Sequence, residues 1–236
     1  RLGEYVKAFK VSQSLVENYK EYLSKYYFAW GSFRLSNYKS NYICKVVGNA
    51  YFERELERFS EIKNDQDFLI IVSDGAYTRD DLSRLALCLS SKFPYKTIYY
   101  KLRPEEYESW KNYYPSEFSE RSNMLVIDRD DLDLYYYLSK SNFTIGTNST
   151  VLLEASPISK VIVLKRGWFF EMNDYIDSGL FMSADSNEEI IEIIEEDRVL
   201  QSSINYQDIF TSGSLQLIGD SLKEIADKPT SYINSK

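Results

Sequence analysis

The sequence predicts an α/β fold with a doubly wound, Rossmann-like parallel sheet and helices on both faces. Short runs of apolar and β-branched residues alternate with longer helical patterns over most of the chain. These runs, such as 68–72 and 161–164, are continuously apolar, which is typical of strands that are buried on both faces of a sheet. The 236 residues, 44% of them hydrophobic, are sufficient for a packed core.

The chain begins with a pattern that differs from the alternation that follows. Residues 4–27 carry apolar and aromatic side chains at three- and four-residue spacing, which predicts an amphipathic helix. An irregular segment then leads to a predicted short strand at 43–47, which ends in a Gly-Asn turn. We interpret this segment as an interdomain crossing, so the predicted domains are residues 1–48 and residues 49–236.

Helices and strands alternate regularly in the second predicted domain. The predicted strands are 68–72, 96–102, 123–127, 143–146, 161–164 and 180–182. The predicted helices are about 50–62, 80–92, 104–112, 131–140, 149–156, 170–178, 187–200 and 213–227. In such sheets, ligands bind beyond the carboxyl ends of the strands, so the loops at these ends are the candidate site.

The turn after strand 143–146 is the most informative of these loops. Four small polar side chains follow the strand and precede a helix: Thr147, Asn148, Ser149 and Thr150. Unpaired backbone N–H groups and the helix dipole favour an anion here, which predicts a phosphate site. Glu154, about one turn into the helix, is placed to accept hydrogen bonds from ribose hydroxyls. A phosphate site beside a ribose site suggests a nucleotide. The alternative is that the four residues only cap the helix.

The loop after strand 68–72 contains Ser73, Asp74 and Gly75. Gly75 permits a tight turn close to a ligand, and Asp74 could contact that ligand. The alternative is a turn with a helix cap, because Asp-Gly is a common turn pair.

The loop after strand 96–102 places Lys101, Arg103, Glu105 and Glu106 at the same edge. Pro104 holds Arg103 in extended backbone just before a helix, where a cation could pair with a diphosphate. The alternative is a surface ion pair between Arg103 and a nearby glutamate.

The later loops give weaker signals. Asp128 begins a loop whose backbone could receive a base edge, whereas Asp130 or Asp131 is better explained as a helix cap. Residues 165–168 could line a sugar pocket or cover the sheet edge.

Composition excludes several classes of function. A net charge of −8 argues against DNA or bulk RNA as partners. The chain contains no histidine, which excludes histidine catalysis within it and most zinc or iron sites. No apolar run approaches the roughly 18 residues of a membrane span. Cys44 and Cys88 are interpreted as two buried free thiols in a reducing cytoplasm.

Four segments together resemble the C-terminal, donor-binding domain of a GT-B glycosyltransferase. They are 27–31 with 46–49, Lys-Leu-Arg-Pro at 101–104, Leu-Tyr-Tyr-Tyr-Leu at 134–138, and Ile-Gly-Thr-Asn-Ser-Thr-Val-Leu-Leu-Glu-Ala at 145–155. The chain is similar in particular to bacterial capsule and lipopolysaccharide transferases, including sialyltransferases with His-Pro and Ser-Ser or Ser-Thr motifs. The His-Pro motif reads Arg103-Pro104 here, so a fixed cation replaces the histidine.

This resemblance implies transfer of a sugar from a nucleotide-sugar to a hydroxyl of a glycan or lipid-linked acceptor. It implies no cofactor and no metal, with the leaving phosphate stabilised by Ser149, Thr150 and Arg103. Glu154 corresponds to a ribose-binding carboxylate of related transferases. The general base is expected in an N-terminal domain that this chain lacks, so no catalytic residue is predicted here. The expected location is the cytoplasm, with peripheral contact at the inner membrane as an alternative.

Two other functions remain open from the sequence. One is a sugar-nucleotide epimerase of the same double-Rossmann architecture, although the absence of histidine counts against it. The other is a non-catalytic module that binds a nucleotide, or a protein partner through the aromatic segment 4–27.

Overall fold

The computed structural model describes residues 26–33, 43–129 and 133–227. The chain divides into two compact units, Arg1–Ala50 with Gln207–Lys236, and Tyr51–Tyr206. The predicted helix at 4–27 lies outside the described residues except for its last two positions, which belong to a strand. The predicted domain boundary between residues 48 and 49 stays a prediction.

The described residues form the following strands and helices. The strands are β1 (Tyr26–Ala29), β2 (Ile43–Val46), β3 (Asp65–Val72), β4 (Thr97–Lys101), β5 (Met124–Ile127), β6 (Ser141–Gly146), β7 (Lys160–Leu164) and β8 (Met182–Ala184). The α-helices are α1 (Ala50–Arg58), α2 (Arg79–Lys92), α3 (Glu117–Glu120), α4 (Leu134–Lys140), α5 (Thr150–Ala155), α6 (Asn173–Asp177), α7 (Asn187–Glu195), α8 (Tyr206–Ile209) and α9 (Ser214–Ala226). Short 3₁₀ turns lie at Gly75–Tyr77, Pro104–Glu106, Trp110–Asn112 and Phe169–Met172.

The first unit contains a small parallel sheet made of β1 and β2. The ring of Trp30 stacks on that of Phe210, with centroids 5.6 Å apart. Gly48 has φ +74°, and a Cβ atom there would lie 2.1 Å from the Thr211 carbonyl oxygen. Only glycine fits this turn without strain, because it combines a left-handed conformation with close backbone approach.

The second unit contains a six-stranded sheet in the order β5-β4-β3-β6-β7-β8. Every neighbouring pair of these strands is parallel. The chain builds outward from β3 through β4 to β5, and then returns to place β6 on the other side of β3. The switch point of the sheet therefore lies between the carboxyl ends of β3 and β6.

Helices cover both faces of this sheet, which confirms the predicted doubly wound α/β fold. Leu69, Ile70 and Ile71 in β3 are each 0% exposed, because their side chains alternate between two buried faces. Helices α2 and α7 pack in the core of one face, and α4 and α5 contact the strands from the other.

Two predicted helices are replaced by shorter elements. Residues 104–112 form two 3₁₀ turns, and residues 170–178 form a 3₁₀ turn followed by α6. Neither segment carries the long apolar stripe of a stable amphipathic helix. The interpretation of the cysteines also needs correction, because neither forms a disulfide but Cys44 is exposed and Cys88 is only partly buried.

Candidate functional site

The switch point brings together side chains from the loops after β3 and β6. The Thr147 hydroxyl donates to Asp74 Oδ2 over 3.0 Å. Both side chains are buried, with Thr147 0% and Asp74 8% exposed. The Thr78 hydroxyl lies 3.5 Å from that of Thr147. Residues about seventy positions apart thus share one polar cluster where the fold places a ligand.

Asp74 is a desolvated carboxylate beside a cation. Burial raises the pKa of Asp74 above its ordinary value, although the hydrogen bond from Thr147 and the charge of Arg103 lower it. Arg103 Nη2 lies 3.9 Å from Asp74 Oδ1, at the limit of an ion pair. The carboxylate therefore has only a distant positive partner to balance its burial.

Arg103 lies at the entrance of a cleft, in the backbone conformation that the sequence predicts. It has φ −77° and ψ 151°, and Pro104 begins the following 3₁₀ turn. Its side chain is 46% exposed and also pairs with Glu105 Oε1 at 3.3 Å. The guanidinium is therefore held near Asp74 and Glu105 and remains accessible to a ligand.

Gly75 lies next to this guanidinium. It has φ +74°, and a Cβ atom there would lie 3.4 Å from the Cδ and Nη1 atoms of Arg103. The left-handed conformation requires glycine for this turn, whereas the space beside Arg103 would tolerate a methyl group.

Glu106 is a buried carboxylate with four donors. Ser73 Oγ, Tyr114 Oη and the Arg103 backbone N–H donate to it over 2.7, 2.8 and 3.0 Å, and Arg79 Nη2 lies at 3.4 Å. Burial by itself would raise the pKa of Glu106, but these hydrogen bonds and the Arg79 charge hold it below the ordinary value. Glu106 is therefore ionised and connects the loops after β3 and β4.

A cleft of about 420 Å³ opens beside this network. It lies on the β3–β4 side of the switch point and combines charged, small and aromatic residues. Its lining residues are Asp74, Gly75, Ala76, Tyr77, Arg79, Arg103, Glu105, Glu106, Ser109, Tyr113 and Tyr114. Tyr77 is 80% and Tyr113 60% exposed, so both rings have accessible surface, although Arg79 lies over the Tyr113 ring at 4.9 Å from its centroid.

The other predicted residues of the first half of the site make local contacts. Ser73 is 1% exposed and reaches Glu106 rather than the cleft surface. Lys101 Nζ donates to the Leu102 carbonyl oxygen at 2.7 Å and also contacts the Tyr107 hydroxyl. Asp128 Oδ2 accepts from Trp110 Nε1 at 3.0 Å. Asp130 and Asp131 lie outside the described residues.

The hydroxyl-rich turn caps a short helix. Ser149 Oγ accepts from the Val151 backbone N–H at 3.3 Å, which makes Ser149 the N-cap of α5. Thr150 is the first helical residue, and α5 is only six residues long. Asn148 Nδ2 lies 3.4 Å from Glu171 Oε2. The cap is therefore present, and anion binding by the same turn stays a prediction.

Glu154 lies on α5, and its Oε2 accepts a hydrogen bond from the Tyr135 hydroxyl at 2.9 Å. Burial raises the pKa of Glu154, and the bond from Tyr135 lowers it only in part. The Tyr135 ring also packs against Tyr51 and Phe52. The role of Glu154 as a ribose ligand stays a prediction.

The sequence placed Glu106 at this edge without a role in the site, and it did not indicate Arg79, Thr78 or Tyr114. The spacing from Arg103 to Glu106 was a usable signal, since a glutamate three residues after an N-cap can accept the N-cap backbone N–H, as Glu106 does from Arg103. No local pattern indicates Tyr114, because its contact with Ser73 depends on how two loops meet.

The described residues contain no candidate membrane span and no candidate metal cluster. In residues 26–33, 43–129 and 133–227, no helix has the length and apolar character needed to cross a membrane. Within the same ranges, no cluster of three or more His, Cys, Asp or Glu side chains could hold a metal ion.

Comparison with known proteins gives a fold likeness without sequence relatives. No family model and no curated protein matches the sequence. MnaA of S. aureus in complex with UDP is similar with a TM-score of 0.58 and 14% identity, covering 86% of this chain and 60% of MnaA. UDP-GlcNAc 2-epimerase from Neisseria meningitidis, bound to UDP-GlcNAc, has a TM-score of 0.52 and 17% identity, covering 85% of this chain and 61% of the epimerase. The chain thus spans about three fifths of the length of these proteins.

A lower similarity is found to a CMP-Kdo-binding domain. The C-terminal CMP-Kdo-binding domain of WaaA from Acinetobacter baumannii has a TM-score of 0.41 and 10% identity, covering 75% of this chain and 98% of that domain. Together with the six-stranded parallel sheet, the likeness to MnaA and to the epimerase shows that this chain has a Rossmann-like α/β fold.

Proposed function

We propose that this chain is the donor-binding part of a glycosyltransferase that transfers a sugar from a nucleotide-sugar to an acceptor hydroxyl in bacterial surface polysaccharide synthesis. The observation that carries the proposal is the meeting of Asp74, Thr147 and Arg103 at the switch point, beside a cleft of about 420 Å³. A cleft of this size suits a small-molecule ligand.

The charges around the cleft support a phosphate-containing donor. Arg103 is half exposed, and its nearest carboxylates are Glu105 at 3.3 Å and Asp74 at 3.9 Å. A bound phosphate would form shorter, charge-assisted hydrogen bonds with the guanidinium. The hydroxyls of Ser149 and Thr150, at the end of the neighbouring strand β6, are proposed to contact the same phosphate.

The proposed chemistry is displacement at the anomeric carbon. The bond from this carbon to the phosphate oxygen breaks, and a bond to the acceptor oxygen forms while a base removes the acceptor proton. Arg103 would stabilise the negative charge that develops on the leaving phosphate. We propose that no cofactor or metal takes part, since this fixed cation supplies the charge. We assign no residue of this chain as the base.

The proposed partners follow from this role. They are the nucleotide-sugar, a glycan or lipid-linked acceptor, and an N-terminal domain that completes the enzyme. Two cysteines that form no disulfide favour a reducing cytoplasm, and lipid-linked acceptors would bring the protein to the inner membrane surface.

An epimerase is the second candidate, because the two fold neighbours with the higher TM-scores include a UDP-GlcNAc 2-epimerase. The two activities differ in their products. With the full-length protein, a transferase releases nucleotide only when it transfers the sugar, whereas an epimerase changes the sugar while it remains on the nucleotide. Proton NMR of the reaction mixture distinguishes the two.

The direct test is calorimetric titration of this chain with CMP, CDP, UDP and GDP. We expect saturable binding of one nucleotide, weakened at least about tenfold by Arg103→Ala because a hydrogen bond to a charged group contributes roughly 1.5–3 kcal/mol. The matched control is Arg84→Ala, which removes an exposed arginine paired with Asp81 on α2. Absence of binding by all four nucleotides, or equal losses in both variants, would contradict the proposal.

A further inference from the structure

Glu106 connects the loop after β3, which carries Asp74, to the loop after β4, which carries Arg103. Its side chain is buried, with 5% of the residue exposed, and it lines the cleft. Oε2 accepts from Ser73 Oγ at 2.7 Å and from the Arg103 backbone N–H at 3.0 Å. Oε1 accepts from Tyr114 Oη at 2.8 Å and lies 3.4 Å from Arg79 Nη2.

Through Ser73, Glu106 is also connected to the turn that contains Asp74. Ser73 Oγ, while donating to Glu106, accepts the Gly75 backbone N–H at 3.1 Å. The hydroxyl therefore joins the Glu106 carboxylate to the backbone on the far side of Asp74. A single carboxylate thus fixes the backbone on which Arg103 stands and the turn that contains Asp74.

We infer that Glu106 is the positioning residue of the site, which sets Arg103 and the Ser73–Gly75 turn in the geometry that binds the phosphate of a nucleotide. The inference rests on the proposed function for its ligand, but the geometry that it explains is present without one.

The negative charge of Glu106 is required for this arrangement. All four of its neighbours are donors, and a carboxylate offers acceptors at both oxygens. A glutamine in its place would offer one carbonyl oxygen and would direct an NH₂ group at other donors. Glu106→Gln keeps the side-chain volume, so it tests the charge and the acceptors rather than packing.

The first experiment needs no ligand. Hydrogen exchange of single backbone amides is measured by NMR in the wild type, in Glu106→Gln and in Glu108→Gln. We expect the Arg103 and Gly75 amides to exchange about tenfold or more faster in Glu106→Gln. The Arg103 amide loses the carboxylate that accepts it, and the Ser73 hydroxyl that accepts the Gly75 amide loses the carboxylate that orients it. The Ser73 amide donates to the Lys101 carbonyl oxygen at 2.8 Å and should not change. Glu108 is exposed and lies outside the cleft lining, so its variant is the matched control.

The second experiment measures binding of the nucleotide that titrates the wild type. We expect Glu106→Gln to weaken binding at least about fivefold, and the double variant with Arg103→Ala to bind no more weakly than Arg103→Ala alone. Such non-additivity is expected when one residue acts through the other. A residue that only stabilised the fold would not show it.

The outcomes separate the two proposals. Equal acceleration of all three amides, or of none, overturns the positioning role whether or not a nucleotide binds. Additive losses in the double variant overturn it as well. If the wild type binds no nucleotide, the proposed function fails, and the amide pattern alone decides the role of Glu106. If Glu106→Gln does not fold, Ser73→Ala should accelerate the Gly75 amide and leave the Arg103 amide unchanged.

Discussion

Asp74 shows how a residue at the switch point can reduce stability while serving a site. Its carboxylate is buried and keeps only one close donor, Thr147, with Arg103 at 3.9 Å. Burial raises its pKa above 3.8, the ordinary value for Asp. A carboxyl group with a raised native pKa loses stabilisation as the pH rises through that pKa. At neutral pH the ionised Asp74 therefore lowers the free energy of unfolding.

We expect Asp74→Asn to raise the melting temperature at pH 7 and to leave it nearly unchanged at pH 4. The amide removes the buried charge, and its oxygen can still accept from Thr147. Nucleotide affinity should fall, because Arg103 loses the carboxylate beside it. Thermal denaturation at both pH values and titration at pH 7 test this. Asp128→Asn, at the end of β5, is the control. A lower melting temperature for Asp74→Asn at pH 7 would show that the charge stabilises the fold.

The role of Glu154 can be tested through the ribose of the nucleotide. If its carboxylate holds the ribose, Glu154→Gln should reduce the preference for a ribonucleotide over its 2′-deoxy form by about tenfold, the value of one hydrogen bond to a charged group. Tyr135→Phe should reduce it less, because it removes only the donor that orients Glu154. Competition titrations with both nucleotides measure the ratio. An unchanged preference in Glu154→Gln would place the ribose elsewhere.

At the scale of elements, helices and strands that depend on local sequence patterns were predictable. Helix α2 was expected at 80–92 and forms at Arg79–Lys92, because Leu82, Leu85 and Leu89 repeat at helical spacing and pack into the core. The buried strands of the main sheet were likewise found within three residues of their predicted starts.

Elements that depend on distant partners were not predictable. The segment Tyr26–Ala29 was taken as the end of a helix and its exit, but it pairs in parallel with Ile43–Val46. Residues 104–112 were expected to form a helix, but Glu106 turns inward to contacts from Ser73 and Tyr114, and two 3₁₀ turns result. Tertiary contacts override local propensity at both places.

The candidate site divides in the same way. The loops at strand ends were predictable, since the fold rule and the residue types coincide at Asp74, Arg103 and Thr147. The hydrogen bonds to Glu106 were not predictable, because Ser73, Tyr114 and Arg79 come from three separate segments and no periodicity relates them.

The two interpretations of the hydroxyl-rich turn can be separated with two helix caps. Ser149 caps α5 and Ser186 caps α7, and each hydroxyl accepts a backbone N–H. Replacement of either by alanine should cost about 1 kcal/mol of unfolding free energy. If Ser149 also binds phosphate, only Ser149→Ala should weaken nucleotide binding in calorimetric titration. Equal affinity in both variants would leave Ser149 as a cap alone.

At the scale of the whole molecule, the carboxyl groups with a shifted pKa fall into two opposing groups. Hydrogen bonds and positive neighbours, despite burial, hold the pKa of Glu106, Glu55 and Asp197 below ordinary values. Burial holds the pKa of Asp74 and Glu154 above them. Histidine is the side chain whose ordinary pKa lies between about pH 5 and 8, and the chain contains none. Titration in this range is therefore expected only from groups with a shifted pKa.

These groups predict the dependence of stability on pH. Carboxylates with lowered pKa stabilise the fold above the ordinary value and lose this effect as the pH falls through their native pKa, so stability should drop steeply below about pH 4. Those with raised pKa reduce stability as the pH rises from 3.8 and 4.5, the ordinary values for Asp and Glu, to their native pKa. A maximum near pH 4–5, a modest decline and then a plateau to about pH 8 should result.

Thermal denaturation from pH 3.5 to pH 8.5 measures this profile. The double variant Asp74→Asn with Glu154→Gln should lose the decline above pH 4.5 and keep the drop in acid, because the groups with lowered pKa are untouched. Glu106→Gln should keep the decline above pH 4.5 and reduce the loss of stability in acid, because it removes a carboxylate with a lowered pKa. A decline that persists in the double variant would mean that general repulsion from the net charge of −8, rather than two buried carboxylates, sets the alkaline side of the profile.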